Sequence, residues 1–489
     1  MNPYADTLAE IAHQAYLAGQ HQQAEALLRL VIAAGGRTAH AVYFLGHLCY
    51  LQGRLDEAAA NLTASLELDP NNGHAQNDLG ETLRAMGRNQ DAIHHLERAV
   101  ALEPKLAHAY GNLAAALVAA GRPADALKWA QESLWRAADK AVAHCDLGSV
   151  LGRLGRHKEA IRQYQLSLEI RPGDPRARYF ESLMRLTLGD MPAGWEAHEA
   201  RLSLPLGFLA RRTDTQRAWR GEIGIQGRVI LLHAEQGLGD TLQFVRYAPL
   251  VAEHGATVLL EVQPGLRPLL DGMPGVTAVF EQGETLPPYE LQCSLMSLPA
   301  AFRTGLGTIP GQGPYLAPRR DLAAAWRRRL GEWKKMRIGL AWSGSPGHAN
   351  DLHRSLPLAS LADLIGRSDV ECHIIQRDIR DSDRPALHDM DGLTDHAASL
   401  TDFAETAALV AQMDLVISVD TALAHLTGAL GKPGWVMLPH AADWRWMATR
   451  SDTPWYPTLR LFRQPKPGDW ASVLQEIGRQ LDLWAVPHA

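Results

Sequence analysis

"YFLGHLCYLQGRLDEAAANLTASLELDP" (43–70) is followed closely by "NDLGETLRAMGRNQDAIHHLERAVALEP" (77–104), and the two superimpose at a shift of 34 residues. The same shift carries Leu45-Gly46 onto Leu79-Gly80, Leu113-Ala114 and Leu147-Gly148. Gly53, Gly87, Gly121 and Gly155 move with them, as do Ala58, Ala92, Ala126 and Ala160. Pro70, Pro104 and Pro172 close their units, with Ala138 standing in once. The small residues let two antiparallel helices approach closely, the glycine ends the first helix and the proline ends the second. One such unit cannot bury its apolar face alone, so the units must stack. Gly19 and Ala24 extend the array backwards to a unit at 5–38, and Gly189 and Gly194 extend it forwards to a degenerate one at 175–208. Residues 1–208 therefore read as a superhelix of about six repeats. Asp78, Asn112 and Asp146 share one position on the first helices. They suit the backbone of an extended peptide, the alternatives being a solvated polar ridge or bonding inside the stack.

Beyond 208 the pattern changes. Residues 209–227 are polar and Arg-rich, as a linker is. Short β-branched runs at 228–233, 257–262, 276–280, 337–342, 371–376, 414–419 and 434–438 then alternate with helical stretches. Such alternation predicts parallel sheets covered on both faces. The expected division is a lobe at 228–318, a charged helix at 319–335 and a second lobe at 336–489, both lobes Rossmann-like. Ligands of such sheets bind beyond the carboxyl ends of the strands.

Composition narrows the function classes. The 489 residues carry a net charge of -6, which leaves no basic excess for nucleic acid. No apolar run approaches the ~20 residues of a membrane span. The start "MNPYADTLAE" lacks the basic region of a secretory signal, and the four cysteines are scattered. The expectation is a cytoplasmic protein without membrane insertion and without a zinc site.

Two turns stand out. Gly237-Leu238-Gly239-Asp240 follows the first strand, but Leu242 occupies the place of a dinucleotide fingerprint's third small residue. Asp240 reads either as a helix cap or as a base that takes a proton from a hydroxyl. In the second lobe Asp420-Thr421 opens a helix with His425 one turn on. This is either a pyrophosphate site or a capped helix with a buried histidine. Arg354, in a Gly/Ser-rich loop, suits a phosphate or plain solvent, and Gln376 a ribose or a strand end. Asp381/Asp383 and Asp389/Asp391 read as a solvated loop rather than a metal site.

Taken in order, "AEQGLGDTLQFVRY" (234–247), "RSLP" (354–357), "DLVISVDTALAHLTGALGKPGWVMLP" (414–439), "DWRW" (443–446) and "PWYPTLRLFRQ" (454–464) resemble the bacterial tetratricopeptide-repeat glycosyltransferases. Their catalytic half is similar to the heptosyltransferase superfamily, with the two-lobed GT-B architecture. The resemblance implies an inverting, metal-independent glycosyltransferase with no cofactor, using a nucleotide-sugar as co-substrate. It assigns Asp240 as the base, and Asp420, Thr421, Ala422, His425 and Arg354 to the donor phosphates. Gln376 stands where those enzymes often keep a carboxylate near the donor ribose. Gly239, Asp443 and Trp444 fall to the acceptor side. The implied acceptor is a Ser/Thr hydroxyl of a protein, flagellin-like or another surface protein, brought by the repeats. The competing expectations are a lipopolysaccharide or polysaccharide acceptor, or a non-catalytic scaffold whose lobes only bind a nucleotide.

Overall fold

Gly53 sits at φ +76° just past the helix Ala39–Leu51, in the left-handed region that glycine enters without cost. The Gly53 N–H bonds the Tyr50 carbonyl and the Arg54 N–H bonds that of Cys49, which closes the helix as a Schellman motif. Gly19, Gly87, Gly121 and Gly155 repeat the conformation. Gly46 and Gly80 serve a second purpose. A Cβ there would lie 2.8 Å and 2.5 Å from Leu62 and Leu96 of the partner helix. The sequence spacing thus becomes helix pairs, from Pro3–Leu17 with His21–Ala33 to Lys140–Arg153 with His157–Ile170. The alanines at 58, 92, 126 and 160 are fully buried between them.

The computed structural model describes residues 3–204, 217–311, 313–348 and 350–484. Residues 209–216 of the expected linker lie outside these residues. The chain divides into two compact units, residues 1–177 and 178–489, so the division falls inside the helix Pro175–Thr187 rather than after 208. The degenerate repeat explains the difference. Its Trp195, 1% exposed, packs edge-on to Trp444 and Phe244 of the second unit. Its Arg201 binds Glu235 through Nε and Nη2 at 2.6 and 3.0 Å.

Asp78, Asn112 and Asp146 are spent on the stack. Asp78 bonds His47 at 2.7 Å and accepts from Asn77 at 2.9 Å, Asn112 donates to Asn77 at 2.9 Å, and Asp146 pairs with Arg176. Each bond except Asp78–Asn77 ties one repeat to the next.

The second unit holds two all-parallel sheets. The first lobe has the order β3-β2-β1-β4, with β1 Val229–His233, β2 Thr257–Val262, β3 Ala278–Glu281 and β4 Leu291–Ser294. The second runs β10-β9-β8-β5-β6-β7, with β5 Met336–Ala341, β6 Val370–Ile374, β7 Leu393–Asp395, β8 Leu415–Val419, β9 Gly434–Leu438 and β10 Leu459–Arg463. β8 and β9 are buried throughout, as strands covered on both faces must be. The helix Arg320–Leu330 follows the first lobe and anchors Trp326, whose indole donates to Glu405 at 2.7 Å. One apolar core runs continuously from Trp195 through β1 and β2 to the helices at 403–410 and 422–429. A second fills the opposite face of the larger sheet. Asp383, expected in a solvated loop, is 4% exposed and accepts from the Trp342 indole at 2.8 Å and the Leu358 N–H at 3.0 Å.

Candidate active site

Because β9, β8, β5 and β6 are neighbours and parallel, the segments leaving their carboxyl ends converge on one edge of the second lobe. The first lobe supplies the segment leaving β1. Its helix, Leu238–Phe244, begins at Gly237, and Asp240 stands in its first turn. One Asp240 oxygen accepts the Gly237 N–H at 2.8 Å. That is capping from the third helical position, not from the cap itself. The other oxygen is held by Arg445 of the second lobe.

Arg445 is the residue that sequence reasoning missed. Nη1 donates to Asp443 at 2.7 Å and Nε to Gln243 at 2.9 Å, and the guanidinium lies 4.3 Å over the Trp444 ring. Burial alone would lower its pKa, but Asp240 and Asp443 outweigh burial and hold it up. The available signal was a charge between two indoles in "DWRW", a place where solvent exposure is a poor expectation. Trp444 itself is 5% exposed among Trp195, Phe244 and Trp455, so it is a core residue and not an acceptor platform.

The second lobe builds the other wall. Thr421 caps the helix Ala422–Ala429, its hydroxyl accepting the Leu423 N–H at 3.3 Å. Arg354 reaches the same helix start and donates to the Asp420 carbonyl at 2.9 Å. Gly344 leaves room for it, since a Cβ there would lie 2.4 Å from the guanidinium. The Arg354 Nε has no hydrogen-bond partner, with Asp351 at 3.6 Å. Burial, then the charge on Asp443, pushes the Asp420 carboxyl up to about 6, against the pull of Arg354 and Arg445. His348, in the same loop as Arg354, is lowered by burial and by that arginine. It adds an imidazole that the sequence did not single out.

Three residues expected at the ligand also make contacts within the protein. His425 bonds Tyr456 Oη through Nδ1 at 2.9 Å and stacks on Trp446 with centroids 5.3 Å apart. Burial drives its pKa well down, so it is a neutral, packed ring. Gln376 accepts from the backbone of Trp342 at 2.9 Å and Ser343 at 3.3 Å, and donates to Ser343 Oγ at 3.2 Å and the Asp378 carbonyl at 3.0 Å. Those four bonds exhaust an amide. Gly239 meets the other lobe directly. A Cβ on it would lie 2.8 Å from His425 Cδ2 and 3.5 Å from Ala422 Cα. The two turns do face each other, then, but at Gly239 they touch, and no saccharide-wide gap separates them there. Among the described residues no cluster of His, Cys, Asp and Glu is arranged to hold a metal ion.

Comparison with known proteins covers both halves. Tetratricopeptide repeat models match residues 37–105, 73–138 and 105–173. The model of glycosyltransferase family 9 (heptosyltransferase) matches residues 389–435, the stretch that contains Asp420, Thr421 and His425. Protein FlbA of Caulobacter vibrioides is 26% identical over 343 residues, which is 63% of this chain and 56% of that protein. The chain thus spans little more than half the length of that relative. Among solved structures, the repeats are similar to TTC0263 of Thermus thermophilus at 20% identity and a TM-score of 0.33, covering 37% of this chain and 99% of that one. For pilF of Pseudomonas aeruginosa the values are 18%, 0.35, 40% and 91%. No helix of the described residues is long and apolar enough to cross a membrane. The chain joins a tetratricopeptide-repeat array to an α/β half in which residues 389–435 match the heptosyltransferase family model.

Proposed function

We propose that this chain transfers a sugar from a nucleotide-activated donor to a hydroxyl group, in one inverting step and without a metal. What carries the reading is a single juxtaposition. Asp240, a partly exposed carboxylate on one lobe, pairs with Arg445 of the other, and its neighbour Gly239 meets the start of the helix Ala422–Ala429, where Arg354 bonds the Asp420 carbonyl. Asp240 accepts the proton of the acceptor hydroxyl as its oxygen bonds the anomeric carbon. The bond from that carbon to the phosphate oxygen breaks, and its electron pair leaves with the nucleotide. The departing charge is met by Arg354 and by the amino end of the Ala422 helix, where a macrodipole favours an anion. His425 contributes from beneath by fixing that helix against Tyr456 and Trp446, and the Asp420 carbonyl orients Arg354.

The acceptor in this reading is a Ser or Thr of a protein recruited by the repeats, because stacked repeats serve as protein-binding surfaces. A flagellin-like or other surface protein, modified before export, is the class we favour. The test is turnover of ADP-, UDP-, GDP- and CMP-sugars by the full chain. Asp240→Asn is expected to lower the rate by about 10²-fold or more, as removal of a general base does. Native turnover by a folded, donor-binding Asp240→Asn chain refutes the assignment.

A further inference from the structure

We infer that Arg445 is a positioning residue for this transfer: a guanidinium of the second lobe that orients the Asp240 carboxylate of the first. The inference rests on the glycosyl-transfer reading above. Arg445 uses a different nitrogen for each of three side chains, Gln243 at 2.9 Å, Asp443 at 2.7 Å and Asp240. It is 9% exposed, and its plane rests on Trp444. A side chain fixed at three points and on one face has no other rotamer to visit. The backbone is committed as well. Met447, two residues on, has φ +56° and ψ 178°, a region that residues with a Cβ rarely occupy. Arg463 holds that turn by donating to the carbonyls of Met447 at 2.8 Å and Trp446 at 3.1 Å.

The consequence falls on Asp240. A carboxylate offers about four acceptor positions, and here one oxygen takes Gly237 and the other Arg445. With both oxygens pinned, the carboxylate cannot rotate, and its remaining lone pairs point in fixed directions. The pin comes from the opposite lobe, so the base is aligned only while the lobes are together. Lysine keeps the charge but lacks the planar fork, and it cannot reproduce a three-way contact.

A double-mutant cycle on the full chain, with melting temperature recorded for each variant, tests this. Arg445→Met is expected to lower kcat about 10²-fold, the size of loss that misplacing a reacting group produces. The donor KM should change by less than about threefold, because the arginine acts on the base and not on the donor. Arg445→Lys should recover part of the loss. In the Asp240→Asn background, Arg445→Met should alter the residual rate by less than about twofold, since its target is gone. Multiplicative losses in the two backgrounds overturn the inference, as does a raised donor KM at unchanged kcat, which makes Arg445 a donor ligand. If Arg445→Met does not fold, the same cycle is run with Arg445→Lys. A wild-type chain inert toward every nucleotide-sugar defeats the glycosyl-transfer reading itself, and this inference with it. Multiplicative losses in an active chain defeat only the role of Arg445.

Discussion

Replacing Gly239 with alanine adds one methyl group at a close contact between the lobes, and its effect can be worked out in advance. The new carbon would sit 2.8 Å from His425 Cδ2, against the roughly 3.5–4.0 Å of an ordinary carbon contact. His425 cannot retreat. Behind it lies the Trp446 ring at 5.3 Å, and its Nδ1 is tied to Tyr456 at 2.9 Å. The helices Leu238–Phe244 and Ala422–Ala429 must therefore part by several tenths of an ångström, an overpacking cost of about 1–3 kcal/mol. Alanine's better helix propensity returns at most about 1 kcal/mol, and less in a first turn. The net expectation is a loss of about 1–2 kcal/mol, a few degrees of melting temperature for a unit of this size. Gly478 supplies the control. It lies inside the helix Trp470–Trp484 with open space around its Cβ position, so Gly478→Ala should stabilise by about 0.5–1 kcal/mol. Thermal and urea unfolding followed by tryptophan fluorescence reads both signs. A Gly239→Ala chain that melts at or above the wild type refutes the close-contact account.

Arg201→Met should destabilise the second unit by about 3–5 kcal/mol, because it strands Glu235, whose side chain is 2% exposed, without its partner; a loss under about 1 kcal/mol in the urea transition of that unit counts against this. His373 and His396 face each other at 3.1 Å, and burial, with Arg337 near the first and His373 and Arg329 near the second, lowers each to about 4 from 6.5, Asp395 opposing weakly. The unfolded chain binds these protons first, so this pair's contribution to stability should be flat above pH 6.5 and fall as pH drops from 6.5 towards 4. His396→Asn should flatten that slope in urea midpoints measured against pH, and an unchanged slope refutes the assignment.

The repeat register was legible because its signals are steric and local: a glycine that must take positive φ, and a small residue where a partner helix presses. The end of the array was not, because Gly189 and Gly194 keep the repeat's spacing while Trp195 and Arg201 bind elsewhere. In the second unit the long apolar strands were readable and three others were missed. β4 reads Leu-Gln-Cys-Ser, and its polar residues are buried only because Gln292 bonds His233 at 2.7 Å and Ser294 bonds Glu235. β10 breaks its apolar run with Arg460 and Arg463, and β7 has only three residues. The strand-end residues were placed on the right edge, yet residue type could not say where their atoms point. Gln376 looks like a ligand contact in sequence, and its polar atoms are committed to the protein, while His425 gives Nδ1 to Tyr456. Arg445 finds Asp240 across a separation of 205 residues, which no local pattern encodes.

One pattern was nevertheless present in "GLGDTLQFVRY". Asp240, Gln243 and Arg246 follow at intervals of three, which puts them along one side of a short helix and its 3₁₀ extension. All three reach the second lobe. Asp240 and Gln243 take Arg445, while Arg246 donates to the Trp455 carbonyl at 2.9 Å and lies 4.8 Å from the Tyr456 ring. Gly239 completes the face by letting the helices touch. A turn that looks like a phosphate cradle is then the joint between the lobes, and its glycine is spent on a close approach to a helix instead of a pyrophosphate. The carboxylate belongs there for the same reason. A carboxylate built into the joint is held in place by the contacts that hold the lobes together, so its alignment needs no separate device.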